Sequence, residues 1–281
     1  MSKILDGKKV REFLAEKIKK ELNRLRIVPR LVIIQVGADE RSSAYIKQKK
    51  TFGERLGFTV EHVRLSKRIT EKHLLAEIGS YNKNKHAHGI IVQLPLPKHI
   101  DPIHVVEAID PQKDVDGLNS RNVRFLVENI SGGLVPATTK GILALLDFYK
   151  ITVEGKKVVV VGHSLLVGRP TALAFLNRDA TVTICHKKTK NLKQETRAAD
   201  IIVIATGKPG LITKSFVKPG QVIVDVGITK IGENFVGDVD FKAVSKIVKA
   251  ITPVPGGVGP MTVVSLFENV LVSYKRQNGL E

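Results

Sequence analysis

Residues 158 to 170 read VVVVGHSLLVGRP, and the fold is decided there. Four consecutive valines suit a strand buried on both faces. Glycine at 162 lets the backbone turn sharply off that strand, Gly168 opens the next helix, and Pro170 suits its first turn. Amides at such a helix N-terminus are a ready site for pyrophosphate. The spacing is G-x-S-x-x-x-G-x-P, a variant of the dinucleotide pattern G-x-G-x-x-G. A tight strand-to-helix turn holding no ligand has the same spacing.

Downstream of this stretch the alternation continues. A helix over 168–178 leads to a strand over 180–185, a short helix near 191–198, and strands at 200–205 and 221–226. The strand at 180–185 runs into His186, Lys187 and Lys188, where a dinucleotide domain meets the adenosine ribose. An acid there accepts a hydrogen bond from a free 2′-hydroxyl; lysines suit a 2′-phosphate, which favours NADP over NAD. Ala205-Thr206-Gly207 and Val224-Asp225-Val226-Gly227-Ile228 put small residues at two more strand ends, where backbone must approach a ligand.

Upstream, apolar residues at Val10, Leu14, Ile18, Leu22 and Leu25 follow helical spacing up to Pro29. A buried strand over 31–36 (LVIIQV), a helix from Ser42 as N-cap to Leu56, a strand over 58–65, a helix over 70–81 and a strand over 89–93 follow. Such a series implies a parallel sheet with right-handed crossovers. Between Leu94 and Asn119 the chain turns to loop chemistry rich in proline and aspartate. A helix over 138–149 then carries the chain away, and a stripe from Val263 to Tyr274 predicts a C-terminal helix. The expected fold is two α/β domains with a cleft between them, the second a Rossmann-type doubly wound parallel sheet.

Composition agrees with this plan. The 281 residues are 43% hydrophobic and 26% charged, which excludes a disordered chain and suits two domains of about 150 residues each. Lys and Arg number 45 against 27 Asp and Glu, a net charge of +18. These bases are scattered, Trp is absent, and the pattern does not form the basic stripe of a nucleic-acid binder. A solvated lysine-rich surface or an anionic small-molecule ligand fits better. Charges at Lys3, Asp6, Lys8 and Lys9 leave no room for a signal-peptide core, and the uncharged run 251–267 is broken by three prolines and three glycines. The single Cys185 can build neither an internal disulfide nor a Cys-based zinc site. The expectation is a cytoplasmic protein with no membrane, nucleic-acid or metal partner.

Four residues suggest a substrate site. Tyr45 and Lys49 lie four apart and share a helix face, although Lys47 and Lys50 beside them also allow an exposed basic pair. Gln93 ends the apolar strand GIIVQ, where a polar side chain faces a crevice. Asp116 sits in KDVDG (113–117), a turn that ordinary Asx geometry also explains. Paired carboxylates raise the question of a metal, but no histidine has ligand spacing to them. The rigid, nearly uncharged loop TPVPGGVGPMT (252–262), with Pro255, Gly256 and Gly257 at its bend, is expected to wrap a ligand at the domain junction.

Together these motifs resemble the bifunctional methylenetetrahydrofolate dehydrogenase/methenyltetrahydrofolate cyclohydrolase family over nearly the whole chain. QLPLP at 93–97 and PVPGGVGPMT at 253–262 are the most specific, and KDVDG, VGHSLLVGRP and VDVGI match in order and spacing. The resemblance implies a folate-binding catalytic domain over 1–135, completed by a C-terminal helix over 262–281, and an NADP domain over 136–261. It implies a homodimer joined through the cofactor domains and a folate substrate, with polyglutamyl tails suited to the basic surface. By motif position Lys49 is the catalytic lysine with Tyr45 and Gln93 beside it, Asp116 holds the pterin, and Pro255, Gly256 and Gly257 line the substrate. Gly162, His163, Ser164, Lys187 and Ile228 carry over as cofactor contacts. Many members have Arg where this chain has His163 and Ser where it has Lys187, and their PCTP motif is Pro136-Ala137-Thr138-Thr139 here. Lys187 and Lys188 can supply the charge of the missing Arg, so NADP stays favoured. The rival readings are a monofunctional or NAD-preferring dehydrogenase of the same family, and an inactive relative that binds nucleic acid.

Overall fold

A computed structural model describes residues 2–280. The chain begins with β1 (Lys3–Ile4), α1 (Gly7–Leu25), β2 (Arg30–Val36), α2 (Glu40–Leu56), β3 (Thr59–Leu65), α3 (Glu71–Lys83) and β4 (Gly89–Val92). Helices α4 (Pro102–Glu107), α5 (Ser120–Val127) and α6 (Ala137–Phe148) lead to β5 (Lys157–Val161), α7 (Gly168–Leu176), β6 (Thr181–Cys185), α8 (Leu192–Ala198), β7 (Ile201–Ile204) and β8 (Val222–Asp225). The chain ends with β9 (Thr229–Ile231), β10 (Asn234–Val236), α9 (Phe241–Val244), β11 (Ala250–Ile251) and α10 (Val258–Gln277). It divides into two compact units, residues 14–137 with 263–281, and residues 1–13 with 138–262.

The unit of residues 14–137 and 263–281 is built on a parallel sheet in the order β3-β2-β4. The central strand is covered on both sides, so Leu31 through Ile34 are fully buried, and an unbroken apolar run is what such a strand needs. Val32 and Ile34 pack with Leu74, Ile78 and Ile90. Phe267 of α10 meets Phe58 and Phe52, with ring centroids 4.9 and 5.9 Å away. Its ring occupies the space a Cβ would need at Gly53, which explains a glycine inside α2. The stretch expected as loop holds α4, and α5 begins where it ends. Asp101 caps α4 by accepting from the Ile103 N–H, ahead of Pro102, and Asn119 caps α5 by accepting from the Arg121 N–H.

The other unit is a six-stranded parallel sheet, β1-β11-β8-β7-β5-β6. The chain passes from β6 back across β5 to β7, so strand order reverses between β5 and β7. In doubly wound sheets this reversal opens the crevice that takes a ligand. The strands β7 and β8 are buried along their whole length, as is β5 after Lys157.

Residues 1–13, which the sequence expectation counts with the folate-binding part, pack with this sheet. Lys3 and Ile4 pair with Ala250 and Ile251 and extend this sheet. The Lys3 and Leu5 amides donate to the Lys249 and Ile251 carbonyls, and Leu5 is fully buried. A two-residue strand has too little length to show a period of two, so neither β1 nor β11 is readable from pattern. The antiparallel β9–β10 hairpin is also absent from the sequence expectation. Helix α10 starts at Val258 and not at 262. Among the described residues, no helix is long and apolar enough to cross a membrane.

Candidate active site

Helix α2 begins earlier than its apolar pattern suggests. Asp39, not Ser42, is the N-cap, and its carboxylate accepts from the Ser42 N–H at 2.8 Å. Gly57 in the left-handed region (φ 102°) ends the helix. Between these stops Tyr45 and Lys49 lie one turn apart. Removing the cap with Asp39→Ala should cost about 1 kcal/mol, read as a lower denaturant midpoint at unchanged slope. An unchanged midpoint would mean that α2 is held by its packing alone.

Lys49 is not part of an exposed basic pair: it is only 4% exposed, while Lys47 and Lys50 face solvent. Its Nζ donates to Gln93 Oε1 at 3.2 Å and lies 4.5 Å from the centre of the Tyr45 ring. Gln93 is held in turn, its backbone N–H donating to the Ile34 carbonyl and its Nε2 to the Leu94 carbonyl, both at 2.8 Å. This orientation leaves Oε1 to face the amine. Burial pushes the Lys49 pKa down, against a smaller upward pull from Asp116. Burial likewise raises Asp116, against the Lys49 charge. The Tyr45 hydroxyl is raised well above its ordinary range by burial and by Asp116. An amine removed from water loses more by being charged than one distant carboxylate returns.

The motif KDVDG separates its two aspartates into different roles. Asp114 is buried and accepts from the Gly117 N–H (3.1 Å), the Asn119 N–H (2.7 Å) and Asn122 Nδ2 (3.0 Å). Burial nevertheless holds its pKa up at about 6. Lys113 donates to the carbonyls of Tyr81, Asn82 and Asn84 at the end of α3. Gly117 sits at φ 73°, where a Cβ would come within 2.7 Å of the Leu134 carbonyl. The turn geometry that Asx chemistry predicts thus belongs to Asp114. Half-buried Asp116 is left with a carboxylate that makes no hydrogen bond among the described residues. Sequence reasoning missed Lys113 and Asp114 as the builders of this loop; two acids flanking one valine were the available signal.

In the six-stranded unit, Gly162 sits at φ 121°, and a Cβ there would collide with the Ala205 carbonyl at the reversal between β5 and β7. A Cβ at Gly168 would strike the Gly162 carbonyl. Ser164 Oγ accepts from the amides of Val167 (3.2 Å) and Gly168 (3.4 Å), shaping the turn into α7. His163, Ser164, Lys187 and Ile228 are exposed just past the carboxyl ends of β5, β6 and β8. Two buried aspartates brace this edge. Asp238 accepts from the amides of Thr206 (2.6 Å) and Gly207 (2.9 Å), and Asp225 from those of Gly227, Asp238 and Val239. Burial raises the Asp225 pKa to about 7. Neither was anticipated; both are acids beside glycines at strand ends.

The structure brings Tyr45, Lys49, Gln93 and Asp116 into one unit and the five cofactor candidates into the other. Pro255, Gly256 and Gly257 lie in the second of these. There the Gly256 carbonyl accepts from the Gly7 N–H at 2.9 Å, and the loop leaves no room for a side chain at residue 7. Among the described residues no group of three or more His, Cys, Asp and Glu side chains is arranged to hold a metal.

A doubly wound parallel sheet with a crowded glycine turn at its reversal, joined to an α/β unit that buries a lysine, defines a two-domain dinucleotide-dependent enzyme. The catalytic-domain model of the tetrahydrofolate dehydrogenase/cyclohydrolase family matches residues 5–116, and its NAD(P)-binding-domain model matches residues 136–278. The chain belongs to this family. It is 46% identical to the bifunctional protein FolD of Aquifex aeolicus, across 99% of this chain and 97% of that one. Among solved structures, the FolD methylenetetrahydrofolate dehydrogenase/cyclohydrolase of Campylobacter jejuni superposes with a TM-score of 0.96 at 42% identity, covering 98% of this chain and 99% of that one. The Trypanosoma brucei enzyme, complexed with NADP cofactor and inhibitor, gives 0.91 at 35% identity, covering 98% of each chain.

Proposed function

We propose that this chain oxidises 5,10-methylenetetrahydrofolate to the 5,10-methenyl cation with NADP, and hydrolyses that cation to 10-formyltetrahydrofolate. The observation that carries this reading is the buried Lys49 amine, held by Gln93 and stacked near Tyr45, with an unbonded Asp116 carboxylate in the same unit. The glycine turn fits a dinucleotide. No Cβ is tolerated at 162 or 168, and the polar and apolar groups around the turn are exposed. Bound there, NADP supplies the acceptor for the hydride that the one-carbon bridge gives up.

In the hydrolytic step a water molecule adds to the cationic carbon, and neutral Lys49 takes its proton as the ring opens. Gln93 orients the amine through Oε1. Tyr45 presents its ring to the folate, and Asp116 accepts hydrogen bonds from the pterin amino and ring N–H groups. Gly162, His163, Ser164 and Ile228 contact the cofactor, and Lys187 meets the ribose 2′-phosphate. Pro255, Gly256 and Gly257 contact the substrate.

The +18 charge suits a polyglutamylated folate as well as NADP. A homodimer through the cofactor unit is part of the reading, supported by edge strand β6, with Ile184 42% exposed, and by Leu176 of α7, 56% exposed. So is a cytoplasmic location. The deciding assay follows nicotinamide reduction by 5,10-methylenetetrahydrofolate with NADP and with NAD, then loss of the methenyl absorbance. No reduction with either cofactor would overturn the assignment.

Lys187→Ala should weaken NADP binding roughly tenfold, the low end of a charge-assisted contact because the lysine is exposed, and leave NAD nearly unchanged. Equal losses for both cofactors would assign Lys187 to the pyrophosphate or to the fold.

A further inference from the structure

At the edge of the six-stranded sheet opposite the glycine turn lies a cavity of about 590 Å³. It sits at the amino ends of β1, β5, β7, β8 and β11, wholly within residues 1–13 and 138–262. Doubly wound sheets bind their nucleotides at the carboxyl ends of the strands, so this cavity is no part of the cofactor site. Four lysines reach it from four separate segments. Lys3 comes from β1, Lys150 from the end of α6, Lys156 from the approach to β5 and Lys249 from the approach to β11. All four are exposed, and none makes an ion pair among the described residues. Two acids share the lining, Glu154 and Asp200, and one Asp200 oxygen already accepts from the Lys157 N–H at 2.8 Å. Four cations against two acids leave the lining positive.

Two of these lysines are held in place. Lys3 Nζ stands 5.0 Å from the centre of the Tyr149 ring, and the hydroxyl of that ring accepts from the Asp6 N–H at 3.0 Å. Lys150 takes the left-handed position that ends α6 (φ 57°), where glycine fits without strain. The turn is closed there by two hydrogen bonds, from the Lys150 N–H to the Asp147 carbonyl and from the Ile151 N–H to the Leu146 carbonyl. A lysine in a glycine position on the wall of a cavity points to a use for its side chain.

The donor set selects the class of ligand. Among the described residues no arginine lines the cavity, so the planar fork that matches a carboxylate is missing. Lysines act as point charges, and phosphate suits them. Ile151, Ile201 and Val222 supply an apolar part of the lining, and the volume falls in the range of small-molecule sites. We infer that the amino-terminal edge of this sheet is a second anion site, which takes a small molecule carrying two or more linked phosphates. The phosphates meet Lys3, Lys150, Lys156 and Lys249, and an organic body, where there is one, lies against the apolar lining. An inorganic oligophosphate and a nucleoside triphosphate share this chemistry, and the apolar lining favours the nucleotide. The site stands apart from both the folate and the NADP readings.

The test is a calorimetric titration of the full chain, saturated with NADP, with ATP and with inorganic tripolyphosphate, both free of magnesium and at low salt. Both probes should bind, ATP more tightly. Equal affinities would uphold the site and assign it to the inorganic ion. Lys3→Gln combined with Lys249→Gln should weaken ATP roughly tenfold, about threefold for each exposed lysine. NADP affinity and dehydrogenase activity should stay at the parental level, because β1 and β11 pair through backbone groups that the substitutions leave in place. Lys72→Gln combined with Lys85→Gln makes the same change in net charge on exposed residues of the other unit, and should leave ATP binding unaltered. Failure of both probes to bind overturns the site. Equal weakening by the two double variants does so as well, since it shows a response to net charge alone. ATP binding that NADP displaces and that Lys3→Gln with Lys249→Gln leaves unchanged also overturns it, by putting the probe in the glycine turn. If NADP itself does not bind, the cofactor reading fails, while the comparison of the two lysine pairs still decides this site.

Discussion

Lys49→Met should lower cyclohydrolase activity roughly a hundred- to ten-thousandfold, the range for losing a positioned general base. Methionine keeps the length and apolar stem of the buried side chain, so the packing between α2 and the end of β4 should survive. What disappears is the amine that faces Gln93 Oε1 at 3.2 Å. Hydride transfer needs no proton acceptor, so part of the dehydrogenase activity should remain, and its presence serves as the check that the variant is folded. The pH profile gives the second reading. Burial lowers the Lys49 pKa, so the neutral base forms as pH rises through a value below the ordinary lysine figure of about 10.4. Parental cyclohydrolase activity should therefore climb with pH along a limb that the variant lacks. Parental hydrolysis by Lys49→Met would remove the amine from the mechanism.

Asp116→Ala should raise the folate KM by about a hundredfold or more in both reactions, because two charge-assisted hydrogen bonds to the pterin are lost at roughly 1.5–3 kcal/mol each. NADP affinity should hold, since Asp116 and the glycine turn belong to different units. The same substitution acts on Lys49. Asp116 is the charge that opposes the depression of the Lys49 pKa, so without it the pKa falls further. The rising limb of the residual cyclohydrolase profile should then move to lower pH. An unchanged folate KM, or a limb that moves to higher pH, would mean that Asp116 neither holds the pterin nor faces the lysine.

The long, strongly patterned elements were readable before any coordinates. The apolar runs of β2, β5, β7 and β8 follow from burial on both faces, and the tight turn after β5 follows from a valine strand running into glycine; the strand order does not. Capping signals are present too, but Asp39 and Ser42 cap equally well by residue type, and only the structure puts the cap at Asp39. Two-residue strands carry no period, so β1 and β11 could not be seen, and with them went the place of residues 1–13.

The same limit applies to the site. Spacing put Tyr45 and Lys49 on one helix face, and strand position marked Gln93. Spacing could not tell a buried lysine from a solvated one, because Lys47, Lys49 and Lys50 are the same residue type within four positions. Nor could it say which aspartate of KDVDG builds the turn and which is left free. Local sequence determines backbone preference and periodicity, which depend on neighbours along the chain. Burial, pKa direction and hydrogen-bond partners depend on neighbours brought from elsewhere. Gln93 lies 44 residues from Lys49 in the chain and 3.2 Å away in space. Only the tertiary structure makes that amine buried and held, and only burial lowers its pKa.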